Sequence, residues 1–242
     1  MLANTLRELA GLRLKDEDGE EQVLTLQPPA TEAELQTIEA RLPRRIPYEI
    51  REALTVSKGL ANGPLDSFSL VDLEGFGLEE VLPHAYSIAH DGFGNYWVLD
   101  LLSTTSSWQP VFYACHDPPV IAYQAATIED FLRDTVAMWQ VGRRSAVDIV
   151  HEDVVMQIWR TNPHLQTAAR LLESTDAVAQ AFAMSLPPQA LVIDLRHPQF
   201  GRGFSWGRFG PKTRIRRAGE DRIWAIIPPE RKPGFLTRII GC

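Results

Sequence analysis

The stretch Ile88-Ala89-His90-Asp91-Gly92-Phe93-Gly94-Asn95-Tyr96-Trp97-Val98-Leu99-Asp100 decides how this chain is read. Runs rich in apolar and aromatic residues flank Asp91-Gly92-Phe93-Gly94-Asn95, and the two glycines and the asparagine accept the positive φ of a tight turn. The pattern predicts a β-hairpin. Past the turn the residues alternate between faces. Trp97, Leu99 and Leu101 make one face apolar, while Tyr96, Val98 and Asp100 set an aromatic beside a carboxylate on the other. Tyrosine anchors an interface at small entropic cost, and a carboxylate pairs with a partner's Arg or Lys. The mixed face is therefore the expected place for a partner protein.

Working outward, Phe68–Leu73, Tyr86–His90, Tyr96–Leu102, Val111–Cys115 and Val120–Tyr123 have strand character and are separated by turn-forming residues, which predicts an antiparallel sheet meander. Thr31 with Glu34 forms a capping box ahead of Leu35, Ile38 and Leu42 at helical spacing, and Pro43 stops that run. Pro47 opens a second helix through Ile50, Ala53 and Leu54. Thr127 with Asp130 opens a third, in which Ile128, Phe131, Leu132, Thr135, Met138 and Trp139 share one face up to Gly142. Helices covering one face of a sheet whose other face stays partly wet give an α+β architecture over residues 1–141, with its core at about 28–141.

Gly142-Arg143-Arg144-Ser145 is the expected boundary. Residues 142–242 then form a basic C-terminal α/β extension or a small second domain. Glu152–Trp159 and Pro163–Leu186 are helical in pattern, and Leu191–Leu195, Thr213–Arg217 and Arg222–Ile227 look like strands. Gly201–Gly210, which contains Phe204, Trp206 and Phe209, reads as a loop or a contact surface.

Composition narrows the function. The 242 residues are 45% apolar and 23% charged, which excludes disordered and fibrous classes. The longest run without Asp, Glu, Lys or Arg is Ala177–Ile193, 17 residues broken by two prolines, too short for a membrane helix. Cys115 and Cys242 suggest no disulfide framework, no secretory signal is read near Met1, and a cytoplasmic location is expected. Residues 1–150 hold 11 basic and 23 acidic side chains, a net −12, and residues 151–242 hold 13 and 8, a net +5. Between Arg196 and Arg238 there are 11 basic residues against three acidic ones. Such a segment suits nucleic acid, or the acidic half of its own chain, and the second reading is preferred. Homo-oligomer formation is left open.

Catalytic motifs fail on inspection. His151-Glu152-Asp153-Val154-Val155 starts like a zinc-protease helix, but Val155 stands where the second ligand is required. Gly203-Phe204-Ser205-Trp206-Gly207 matches a nucleophile elbow, yet no helix follows and no histidine lies after Ser205. No phosphate-binding glycine loop occurs. His90-Asp91 and His116-Asp117 each end a predicted strand. Adjacent strand residues point to opposite faces, so Asp91 and Asp117 are read as turn carboxylates bonded to local amides. No catalytic residue, metal ligand or cofactor is assigned. A hydrolase-type enzyme using His90, Asp91, His116 and Asp117 is kept as the alternative, together with nucleic-acid binding by the basic segment through Phe204, Trp206 and Phe209.

Leu42-Pro43, Pro47-Tyr48, Ile50 and Leu54, followed by the quoted hairpin, Val111–Asp117 and the Ile128, Phe131-Leu132 helix, resemble the SUKH superfamily in its Smi/Knr-like branch over about residues 28–141. The resemblance implies an α+β binding domain without a known reaction. Its bacterial members act mainly as immunity proteins that neutralise toxins of polymorphic toxin systems. Carried over by position, Gly92, Gly94 and Asn95 are structural turn residues and Trp97 a core residue. His90, Asp91, Tyr96, Asp100, His116 and Asp117 are the expected partner-binding residues.

Overall fold

The computed structural model describes the chain apart from residues 44, 72–76, 78–80, 84, 102–107, 141, 143 and 230–242. The tails of the predicted strands at 72–73 and 102, His84, Cys242 and the basic residues Arg231, Lys232 and Arg238 fall outside the described residues.

In chain order the elements are α1 (Leu2–Leu9), β1 (Arg13–Lys15), β2 (Glu21–Val23), β3 (Thr25–Leu26), α2 (Glu32–Arg41), α3 (Tyr48–Val56), β4 (Gly59–Ala61), β5 (Ser67–Ser69), β6 (Ala85–His90), β7 (Tyr96–Asp100), β8 (Val111–His116), β9 (Pro119–Ala125) and α4 (Ile128–Ala137). They continue with α5 (Ala146–Ile149), a π-helical turn (Val150–Val154), α6 (Val155–Arg160), β10 (Gln166–Thr167), α7 (Ala168–Leu171), α8 (Ala177–Met184), β11 (Leu191–Asp194), β12 (Gly203–Ser205), β13 (Arg214–Arg217) and β14 (Ile223–Ile227). The capping boxes act where the sequence places them. Thr31 Oγ1 accepts the Glu34 N–H at 3.2 Å while Glu34 accepts the Thr31 N–H at 2.7 Å, and Thr127 Oγ1 accepts the Asp130 N–H at 3.0 Å.

β1 and β2 form a small hairpin of their own. The main sheet has eight strands in the order β12-β9-β8-β7-β6-β5-β4-β3, all antiparallel, so the predicted meander is its centre. A second sheet runs β10-β11-β14-β13. On one face of the main sheet, Trp97, Leu99, Val111, Tyr113 and Val120 pack into a core with α1 to α6. On the other face, Val98, Phe112, Ala114 and Ile121 pack against Ile193, Phe204, Trp224 and Ile226. The far side of the second sheet is closed by α7 and α8 through Ala179, Phe182 and Ala183 over Val192, Ala225 and Ile227. The result is four layers, helix, sheet, sheet, helix, an α+β fold.

The second face of the meander is therefore not wet, which corrects the expectation drawn from its mixed composition. Val98, Phe112, Ile121, Phe204 and Trp224 are all fully buried, and burial of each large side chain contributes about 1.5–3 kcal/mol. Gly201–Gly210 is likewise more than a loop. Its Gly203–Ser205 becomes the edge strand β12, paired with Val120–Ala122 of β9. A Cβ on Gly203 would stand 2.1 Å from the Ile121 carbonyl oxygen, so only glycine lets the two backbones meet. The helical pattern read over Pro163–Leu186 divides into β10, α7 and α8. Asp176 ends the irregular stretch by accepting the Ala179 N–H at 2.9 Å and starting α8 anew.

Candidate functional site

The turn between β6 and β7 is built from local bonds. Asp91 Oδ1 accepts the N–H groups of Phe93 at 2.8 Å and Asn95 at 3.2 Å, and Asp91 Oδ2 accepts Asn95 Nδ2 at 2.6 Å. Asn95 in turn accepts the His116 backbone N–H through Oδ1 at 3.1 Å, which fixes the turn to the end of β8. Gly92 and Gly94 have φ of +75° and +88°, as the sequence requires. A Cβ on Gly94 would come within 3.2 Å of His116 Nδ1, so the turn also needs glycine for space.

This constraint leaves Phe93 with nowhere to turn but outward, and it is 80% exposed. A phenyl ring held in solvent by a locked backbone loses little freedom on meeting a partner. Around it stand exposed Asp66, His116 and Asp117, with Asp91 and His90 partly covered. His90 Nδ1 accepts the Gly92 N–H at 3.2 Å and lies 3.3 Å from Asp66 Oδ2. Tyr96 is half-buried with its ring centre 6.0 Å from that of His90. The expected residues His90, Asp91, Tyr96, His116 and Asp117 thus gather at one end of the sheet. Asp66 and Phe93 belong with them, although the sequence reading omitted both. Phe93 carried a usable signal: an aromatic between two positive-φ glycines in a tight turn cannot reach the core.

His90 and Asp91 do not form an acid–base couple with each other. Both Asp91 oxygens are occupied by amide donors rather than by an imidazole, and His90 meets Asp66 instead. Burial pushes the neighbouring Cys115 thiol above its ordinary range, the opposite of an activated nucleophile. Among the described residues no three His, Cys, Asp or Glu side chains are placed to share a metal ion, and no helix is long and apolar enough to cross a membrane.

Asp100 does not belong to this surface, contrary to expectation. Its side chain is fully buried between the two sheets. Arg217 donates to it through both terminal nitrogens, at 2.9 and 2.8 Å, and Arg222 Nε donates at 3.0 Å. Arg222 Nη2 also donates to the carbonyls of Asp100 at 2.9 Å and Gln109 at 2.8 Å. Burial lowers the pKa of Arg222 and Asp100 opposes that shift, while the Arg217 guanidinium lies 4.9 Å over the Trp224 ring. A fully buried carboxylate that accepts three N–H bonds from two guanidinium groups is closed to a partner. Trp97 is a core residue, donating its indole N–H to Gln124 at 3.2 Å.

The same geometry removes much of what nucleic-acid binding would use. Phe204 is stacked on Trp224 at 5.3 Å inside the fold, and Arg196 is bound to Asp176 and Asp194. Arg217 and Arg222 serve Asp100, so part of the basic segment neutralises the chain's own acid.

Fold and turn together define an α+β protein built around an Asp-Gly-Phe-Gly-Asn hairpin locked by its own carboxylate. Residues 29–134 match the model of the SMI1 / KNR4 family (SUKH-1), so this part of the chain is similar to that family, the one whose resemblance was read from the sequence. The matched segment ends within α4, ahead of every element of the second sheet. No curated protein and no solved structure matches the chain.

Proposed function

We propose that this chain is a non-enzymatic binding module that captures a protein partner at the hairpin-turn end of its main sheet, and that the partner is a toxin neutralised inside the cell that makes both. The observation that carries the reading is Phe93, 80% exposed on a turn that three bonds to Asp91 hold in shape. The match of residues 29–134 to the SMI1 / KNR4 family supports a binding role, since the resemblance stated above implies one. The acidic groups Asp66, Asp91 and Asp117 around an aromatic anchor suit a basic, nuclease-type target, because opposite potentials speed encounter and select the partner.

The test is capture of the toxin encoded beside this gene by the full chain and by Phe93→Ala and Asp117→Lys. Phe93→Ala is expected to weaken binding at least ten-fold, a loss of roughly 2 kcal/mol for a central aromatic, with no change in melting temperature. Asp117→Lys is expected to slow association most at low salt. Unchanged capture by both variants would move the interface elsewhere, and absence of capture by the wild type would remove the toxin reading.

A further inference from the structure

The second sheet ends in an open edge. Ala218 N–H donates to the Ile223 carbonyl at 3.0 Å, and β13 registers Arg214 with Ile227 and Arg216 with Ala225. Antiparallel amides alternate sides, so the backbone groups of Arg214, Arg216 and Ala218 face β14 and those of Ile215 and Arg217 face away from it. β13 is the last strand in its sheet, which leaves the Ile215 amide and carbonyl without a strand partner among the described residues.

Beside this edge lies a cleft of about 550 Å³ whose lining includes Val81, Trp206, Thr213, Arg214, Ile215 and Arg216. Arg214 is exposed, and among the described residues no carboxylate pairs with it, with Arg216, or with the nearby Arg208 and Lys212. Arg216 instead donates to the Ser185 carbonyl at 2.8 Å and lies 5.8 Å over Phe182. The inward side chains of the strand are already used, Ile215 in the core between the sheets and Arg217 on Asp100.

We propose that β13 and its cleft take an extended acidic peptide segment of a partner protein as a fifth strand of the second sheet. Main-chain hydrogen bonds to Ile215 supply the pairing. Acidic side chains of the peptide meet Arg214 and Arg216, and its apolar side chains lie in the cleft against Val81 and Trp206. Arginines on a strand edge also guard against unwanted pairing, but a guard needs no adjoining cleft with an apolar wall. This site is separate from the hairpin turn and stands or falls independently of it.

The experiment measures anisotropy of a labelled peptide of alternating Glu and Val on addition of the full-length chain. Saturable binding is expected, lost when alternate peptide nitrogens are methylated, since methylation removes main-chain donors and leaves charge intact. Arg214→Glu with Arg216→Glu is expected to weaken binding roughly ten-fold. Arg214→Glu alone keeps the Arg216 bond to Ser185 and should show part of that loss. Equal binding of the methylated peptide would overturn strand pairing. Preference for an oligothymidylate would replace the peptide with nucleic acid, and no binding at low salt would reduce the arginines to edge guards.

Discussion

The two ends of the β6–β7 hairpin hold their carboxylates in opposite ways. At the turn, Asp91 takes its donors from residues two and four positions ahead, next to water. At the other end, Asp100 takes its donors from residues 117 and 122 positions away, out of water. A carboxylate satisfied locally shapes its own loop and leaves a surface free. One satisfied from a distance joins two sheets and is silent toward partners. The same residue type, in one pair of strands, thus serves display in one place and assembly in the other.

Substitutions should separate these roles, and the largest effect is expected at Asp100. Asp100→Asn leaves two buried guanidinium groups without a counter-charge and should destabilise by about 3–5 kcal/mol in urea unfolding. A loss below about 1 kcal/mol would mean that water reaches the cluster and that the two ends do not differ. Gly94→Val places a β-branched side chain at φ +88° against His116 and should cost about 2 kcal/mol by thermal melting. Asp91→Ala should cost only about 1 kcal/mol, because its freed amides reach solvent. Its sharper effect is expected on amide exchange, accelerated at Phe93 and Asn95 and unchanged in β14.

A partly exposed carboxylate provides the smallest contrast. Hydrogen bonding to Lys58 first, then to Thr31, holds Glu34 at a pKa of about 2 against an ordinary 4.5. A depressed folded-state pKa stabilises above the ordinary value, so this contribution is complete above pH 4.5 and fades as the pH falls toward 2. Glu34→Gln should flatten stability across that window, measured by urea midpoints. An undiminished slope would assign the acid sensitivity to other carboxylates.

What was legible in the sequence follows the same division by range. The turn, the glycines at positive φ, the role of Asp91 and the helix caps rest on partners within five residues, and the spacing alone specified them. The cover over Val98 and Phe112 was not legible. It depends on β12, a three-residue strand in a glycine-rich stretch, and on arginines whose purpose shows only when residues 217 and 222 reach residue 100. Read without that cover, Tyr96, Val98 and Asp100 look like a solvent face. The alternation assigned their side of the sheet correctly, but nothing within the hairpin says what lies over it. β1 to β4 were missed for a similar reason, each being two or three residues long with no periodicity to detect.

The path of the chain through β11 in the second sheet, β12 in the first and β13 and β14 in the second again also sets a timetable for synthesis. The meander is complete once residue 125 has emerged, yet Ile193, Phe204, Trp224 and Ile226, which pack over Val98, Phe112 and Ile121, arrive only later. At about 5–20 residues per second, a nascent chain carries a bare apolar face for roughly 5–20 seconds. The expected consequence is dependence on a holding chaperone at the ribosome. Chains stalled before residue 203 should crosslink to such a chaperone, whereas released ones should not.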